Sequence, residues 1–253
     1  MTEQTDPGQQ PDHHDDSAEA RRPRGIYLLP NLFTTGALFA GFYAVIAGMG
    51  GRFEAAAVAI FIAMVFDGLD GRVARMTNTQ SKFGAEYDSL SDMVSFGIAP
   101  SLVAFTWVLE DLGKIGWFAA FIYAAGGALR LARFNTQIGF VDKRYFMGLP
   151  SPAAAAAVAG LIWFCSTNGI EPDEFGYSVA LYVALAGVLM VSNVLYYSFK
   201  DIDLKGRIPF MKLALIVLAA AVVATNPALL LWLLFLLYSL SGPLLWLWRR
   251  RPH

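Results

Sequence analysis

Long apolar runs set the first limit on what this chain can fold into. Stretches nearly free of charge alternate with short connections that carry Gly, Pro and charged residues. A helix needs ~20 apolar residues to cross the hydrocarbon of a bilayer. The runs at roughly 31–50, 54–75, 85–107, 113–134, 151–168, 175–198, 207–225 and 228–248 are each near that length. A hydrophobic share of 56% against 15% charged residues is too apolar for a water-soluble domain. The expected fold class is therefore all-α, a polytopic transmembrane helical bundle of about eight spans.

The flanks and connections refine this reading. Residues 1–24 are polar and without hydrophobic pattern, and read as a disordered tail; 25–253 read as the integral membrane domain. Asn31 after Pro30 is a candidate helix cap. Ser151-Pro152 is a stronger start signal, with Ser151 as cap and Pro152 as the first helical residue. Small residues from Ala153 to Ala157, then Ala159 and Gly160, predict close helix packing in the fifth run. Trp107, Trp117, Trp246 and Trp248 lie at run ends, where they read as interface anchors. The single cysteine, Cys165, reads as a small packing residue. Of the 19 Lys and Arg, an eight-span path puts all but Arg52 and Lys114 on one side. The excess of positive charge on cytoplasmic loops then predicts both termini in the cytoplasm and a cell inner (cytoplasmic) membrane location. No nucleic-acid partner is expected; the bilayer is.

Four aspartates break the apolar pattern. Asp67 and Asp70 close the second run, and Asp88 and Asp92 open the third. Residues three or four apart share a helix face, so each pair points one way and neighbouring helices can bring all of them to one pocket. Like charges clustered near a bilayer repel unless cations neutralise them, and an all-oxygen set suits Mg²⁺ or Mn²⁺. Gly71 and Gly84 leave room for close approach of a ligand to the backbone, and Arg75 stands where it can hold a phosphate. The histidines, His13, His14 and His253, lie in the tails, so a carboxylate has to serve as any base within the membrane. Arg130 and Arg133, three apart near the end of the fourth run, are candidates for a substrate phosphate or carboxylate.

The full pattern, D-x-x-D-G-x-x-A-R-x8-G-x3-D-x3-D, comprises Asp67, Asp70, Gly71, Ala74, Arg75, Gly84, Asp88 and Asp92. By it the chain resembles the CDP-alcohol phosphatidyltransferase family. Four further stretches resemble that family's serine-using branch: Pro30-Asn31-Leu32-Phe33-Thr34, Ser89-Leu90-Ser91-Asp92-Met93-Val94-Ser95-Phe96-Gly97, Leu131-Ala132-Arg133-Phe134-Asn135 and Gly148-Leu149-Pro150-Ser151-Pro152. The resemblance implies transfer of a phosphatidyl group from CDP-diacylglycerol to L-serine with release of CMP, in a homodimer with a six-helix catalytic core. It implies two divalent ions on Asp67, Asp70, Asp88 and Asp92, with Asp92 also the base. It implies nucleotide contacts from Asn31, Thr34, Gly71, Ala74, Arg75 and Gly84, and acceptor contacts from Arg130 and Arg133. Glycerol 3-phosphate, inositol and choline are the alternative acceptors. An ion or proton transporter and a lipid-binding scaffold are the rivals from other classes. Relay acids are expected near the midplane of several spans, whereas these carboxylates gather at one end.

Overall fold

The computed structural model describes residues 25–77, 79–136, 145–198 and 210–249. The chain forms α1 (Gly25–Met49), α2 (Phe53–Thr77), a continuous helical segment α3 (Lys82–Leu112), α4 (Lys114–Thr136), strand β1 (Tyr145–Met147), α5 (Ser151–Thr167), α6 (Gly176–Val191), strand β2 (Leu195–Tyr197), α7 (Phe210–Thr225) and α8 (Pro227–Arg249). The fold is all-α apart from the two short strands. Among the described residues, five helices are long and apolar enough to cross a membrane: Leu29–Met49, Lys82–Leu112, Lys114–Thr136, Asp173–Val191 and Pro227–Trp248. α2 has the length, at 25 residues, but its C-terminal part carries Asp67, Asp70, Arg72 and Arg75. α5 and α7 are shorter, at 17 and 16 residues. The expected tail, 1–24, lies outside the described residues.

Small side chains let the helix backbones approach, which is how apolar helices gain dispersion energy where lipid is as apolar as they are. α1 and α2 pack through Ala37, Ala40, Ala44 and Ala47 against Ala56, Ala59, Ile60 and Ala63, all buried. α4 meets α6 so closely that a Cβ on Gly187 would lie 2.6 Å from the Tyr123 Cα. α5 lays its buried alanine run into the core and meets α8 at Gly160, where a Cβ would lie 2.9 Å from the Trp232 Cα. The close packing expected of the fifth run is thus present, and Cys165 is buried among these contacts.

Several expectations are corrected. Asn31 caps nothing: α1 starts at Gly25 and runs through Pro30. α5 is capped at Pro150, so Ser151 is its first helical residue rather than its cap. Trp107 is buried at 9% exposure, whereas Trp117, Trp246 and Trp248 are exposed. The sixth run ends at Val191, because Ser192 turns extended (ψ 159°) and its hydroxyl donates to the Leu189 carbonyl at 2.8 Å. Leu195–Tyr197 then pairs antiparallel with Tyr145–Met147, Phe146 opposite Tyr196. α3 is also irregular: two π-helical stretches, Met93–Ile98 and Phe105–Leu109, interrupt it. The first leaves the Phe96 carbonyl to accept from the buried Tyr123 hydroxyl of α4 at 3.1 Å.

Candidate metal centre and active site

The site lies where the C-terminal end of α2 meets the N-terminal end of α3. A short connection reverses the chain between them, braced by Thr77 and Thr79, whose hydroxyls are 2.7 Å apart. Ser81 caps α3, its Oγ accepting from the Gly84 backbone N–H at 3.0 Å. Starting α3 there puts Asp88 nearly two turns in, opposite Asp70. Carboxylate oxygens of Asp67, Asp70 and Asp88 all fall within 4.8 Å of one another. Asp92 lies beside them, its carboxyl group near enough to those of Asp67 and Asp88 to interact electrostatically with both.

α1 supplies the scaffold for this cluster. The Thr34 hydroxyl donates to Asp70 Oδ2 at 2.8 Å, and both residues are buried, at 3% and 5% exposure. The same hydroxyl lies 3.1 Å from the Pro30 carbonyl. Ser91 and Ser95 of α3 donate to the α1 carbonyls of Thr34 and Ala37 at 3.1 and 3.0 Å. Thr35 and Tyr87 add a hydroxyl contact at 2.9 Å. These bonds fix the rotation of α3 about its axis, and therefore the direction of Asp88 and Asp92.

Most of the remaining residues singled out in the sequence fall around this centre, while the contact shown for Arg133 is with Asn193. The Arg75 guanidinium folds back along α2 over Gly71, where a Cβ would come within 3.5 Å of Nη1. The Asn31 side-chain oxygen lies 3.5 Å from the place of a Gly84 Cβ, so α1 and α3 nearly touch there. Ala74 lies on α2 one turn after Asp70, half-buried. Arg130 of α4 is near enough to Asp67 and Asp92 to interact electrostatically with both. Its Nη1 donates to the Ser151 hydroxyl. Arg133 Nη1 donates to Asn193 Oδ1 at 3.4 Å. Between α1 and α2 runs an apolar groove of about 660 Å³, lined by Leu32, Thr35, Phe39, Tyr43, Ile62 and Phe66 among others.

Four supporting residues had no role in the sequence reading: Ser91, Ser95, Asn135 and Asn193. Ser91, Ser95 and Asn135 stand inside stretches already noted, and Asn135 Nδ2 donates to Ser89 at 3.1 Å, tying α4 to α3. Asn193 carried no signal, because its segment reads as the end of an apolar run.

The donor set fits a hard divalent cation. It is all carboxylate oxygen, it comes from two rigid helices, and its charges repel at this spacing unless a cation lies among them. Fold and site together define a polytopic membrane enzyme with a carboxylate centre at one end of the helix bundle. Residues 27–246 match the family model for CDP-alcohol phosphatidyltransferase, and the chain belongs to that family. Over 216 residues it is 38% identical to a Helicobacter pylori protein named CDP-diacylglycerol--serine O-phosphatidyltransferase, covering 85% of this chain and 90% of the relative. A Mycobacterium tuberculosis protein of the same name is 32% identical over 229 residues, covering 88% and 79%. A Methanocaldococcus jannaschii protein, again of that name, is 38% identical over 142 residues, covering 56% and 63%.

Proposed function

We propose that this chain transfers the phosphatidyl group of CDP-diacylglycerol to L-serine, giving phosphatidylserine and CMP. The observation that carries the reading is the meeting of Asp67, Asp70 and Asp88 within 4.8 Å, beside Arg75, in a member of this family. The relatives named as serine enzymes, together with Met93 after Asp92, support serine over the other acceptors.

Asp67, Asp70 and Asp88, with Asp92 alongside, would hold Mg²⁺ or Mn²⁺, two ions in this reading. Bound there, a divalent ion would supply positive charge against the donor's diphosphate and would favour ionisation of the attacking hydroxyl. Asp92 takes the proton of the serine hydroxyl. The serine oxygen attacks the phosphorus that bears diacylglycerol, and the bond to the CMP oxygen breaks. Thr34 keeps Asp70 aimed, Arg75 contacts a phosphate, and Asn31, Gly71, Ala74 and Gly84 border the cytidine. Arg130 and Arg133 hold the acceptor. The groove between α1 and α2 offers the acyl chains an apolar path along the helices that carry the carboxylates. An eight-span path with both termini in the cytoplasm and this site facing the cytoplasm of the inner membrane completes the reading, in a homodimer.

The test is CMP release by the purified protein from CDP-diacylglycerol, with L-serine, glycerol 3-phosphate, inositol and choline at matched concentrations. A preference for serine supports the reading. A preference for any of the others overturns the acceptor and leaves the family chemistry in place.

A further inference from the structure

Ser151 stands at the start of α5, where a serine ordinarily satisfies the backbone N–H groups of its own helix. It does not do so here. The helix is capped at Pro150 without a side-chain bond, and the Ser151 hydroxyl, wholly buried, accepts from Arg130 instead. One turn further along α4, Arg133 donates to Asn193. Ser151 and Asn193 are distant in sequence but belong to one small framework. The Gly148 N–H donates to the Val194 carbonyl at 2.8 Å, and the Leu149 N–H to the Leu189 carbonyl at 2.9 Å, directly beside the β1–β2 pair. Gly148 has φ +80°, and a Cβ there would run into the Met190 carbonyl, so the chain can make this bend only with glycine. The framework is fastened to α8: the Tyr196 hydroxyl donates to the Ser239 carbonyl at 2.9 Å, and the Tyr238 hydroxyl to the Tyr197 carbonyl at 3.1 Å.

The chemistry of the two partners matters. A guanidinium held by a carboxylate has its charge neutralised; one held by a hydroxyl or an amide oxygen is oriented while its charge stays available. Among the described residues both hydrogen-bond partners are neutral, and Arg130 at the same time faces Asp67 and Asp92. Each guanidinium carries further N–H donors in a planar fork suited to a carboxylate.

We infer that Ser151 and Asn193, mounted on the β1–β2 framework, are positioning residues that aim Arg130 and Arg133 at the carboxylate of the amino-acid acceptor. The inference rests on the function proposed above and assigns the acceptor's carboxylate, rather than the donor's diphosphate, to this pair.

The experiment uses the full chain in detergent or lipid vesicles, with Ser151→Ala, Asn193→Leu and the conservative Ser151→Thr and Asn193→Gln. CMP release is measured against L-serine at saturating CDP-diacylglycerol, against CDP-diacylglycerol at saturating serine, and against ethanolamine, which is serine without its carboxylate. Loss of either neutral partner should raise the KM for serine about tenfold, the scale of one hydrogen bond. The KM for the donor should stay put, and the preference for serine over ethanolamine should narrow. Ser151→Thr and Asn193→Gln, which keep a neutral acceptor, should hold the serine KM near that of the unmodified chain. An equal fall in kcat with every KM unchanged, a rise confined to the donor KM, or an unaltered serine-to-ethanolamine ratio would each overturn the inference while the serine activity of the unmodified chain stands. No turnover of serine by the unmodified chain would instead remove the proposed function, and this inference with it.

Discussion

Thr34→Val tests whether α1 takes part in the metal centre or merely packs beside it. Valine keeps the shape of threonine and removes the hydroxyl that donates to Asp70 Oδ2 at 2.8 Å. Hydrogen bonds to charged groups contribute roughly 1.5–3 kcal/mol, and about 1.4 kcal/mol is a factor of ten. The hydroxyl has one proton and a second acceptor, the Pro30 carbonyl at 3.1 Å, so the lower end of that range applies. Outer-shell partners of metal ligands commonly account for ~10- to 100-fold in metal affinity. The expected result is therefore a rise of about tenfold in the Mg²⁺ or Mn²⁺ concentration giving half-maximal CMP release, with much of the rate recovered at saturating metal. The metal-dependent shift of the unfolding temperature in detergent should weaken in parallel. Thr34→Ser, which keeps the hydroxyl, should stay near the unmodified protein. Unchanged metal dependence in Thr34→Val, or equal damage in Thr34→Ser, would refute a role for this bond in holding Asp70.

Asp92→Asn should abolish turnover, by ~10²–10⁴ for loss of a positioned base, and retain CDP-diacylglycerol binding. Asp88→Asn should lose both; near-normal turnover by Asp92→Asn would take it out of the base role. Gly187→Ala puts a methyl 2.6 Å from the Tyr123 Cα and should force α4 and α6 apart. The cost is about 1–3 kcal/mol, read as a lowered unfolding temperature; an unshifted transition would show that the crossing is looser than drawn. For topology, Asp173→Cys in a Cys165→Ser background should react with an impermeant thiol reagent from the outer side of intact cells. Reaction from the cytoplasmic side alone rejects the proposed orientation.

The aspartate pattern was legible because helical spacing and charge in an apolar setting are both local properties of the sequence. Asp67, Asp70 and Asp88 accordingly meet where the pattern puts them. What escaped the reading is non-local. Ser151 reads as a cap from its neighbours alone, and only the fold reveals that Arg130 takes its hydroxyl. The β1–β2 pair joins residues 145–147 to 195–197, and β2 consists of Leu195, Tyr196 and Tyr197, which an apolar-run reading assigns to the preceding helix. Thr34 was read as a nucleotide contact, and its neighbours gave no reason to connect it with Asp70, a bond that depends on how α1 lies against α2. The π-helical stretches of α3 carry no marker in Met93–Ile98 beyond small residues such as Ser95 and Gly97.

The β1–β2 pair also imposes an order on biogenesis. The carboxylate cluster and its Thr34 brace draw only on α1 to α3, so that part of the site can form with less than half of the chain in the membrane. The partners of Arg130 and Arg133 come from Ser151 and Asn193, and the framework holding them closes against α8 through Tyr196 and Tyr238. Chains emerge from the ribosome N-terminus first, so a nascent molecule acquires its carboxylate cluster and the two arginines well before the residues that hold those arginines. On the proposed roles, a partly synthesised or truncated chain would hold the cation-binding carboxylates and still lack the partners that aim the acceptor-binding arginines. On those roles α8 would then do more than lie in the bilayer: it closes the framework on which the acceptor-binding arginines are mounted.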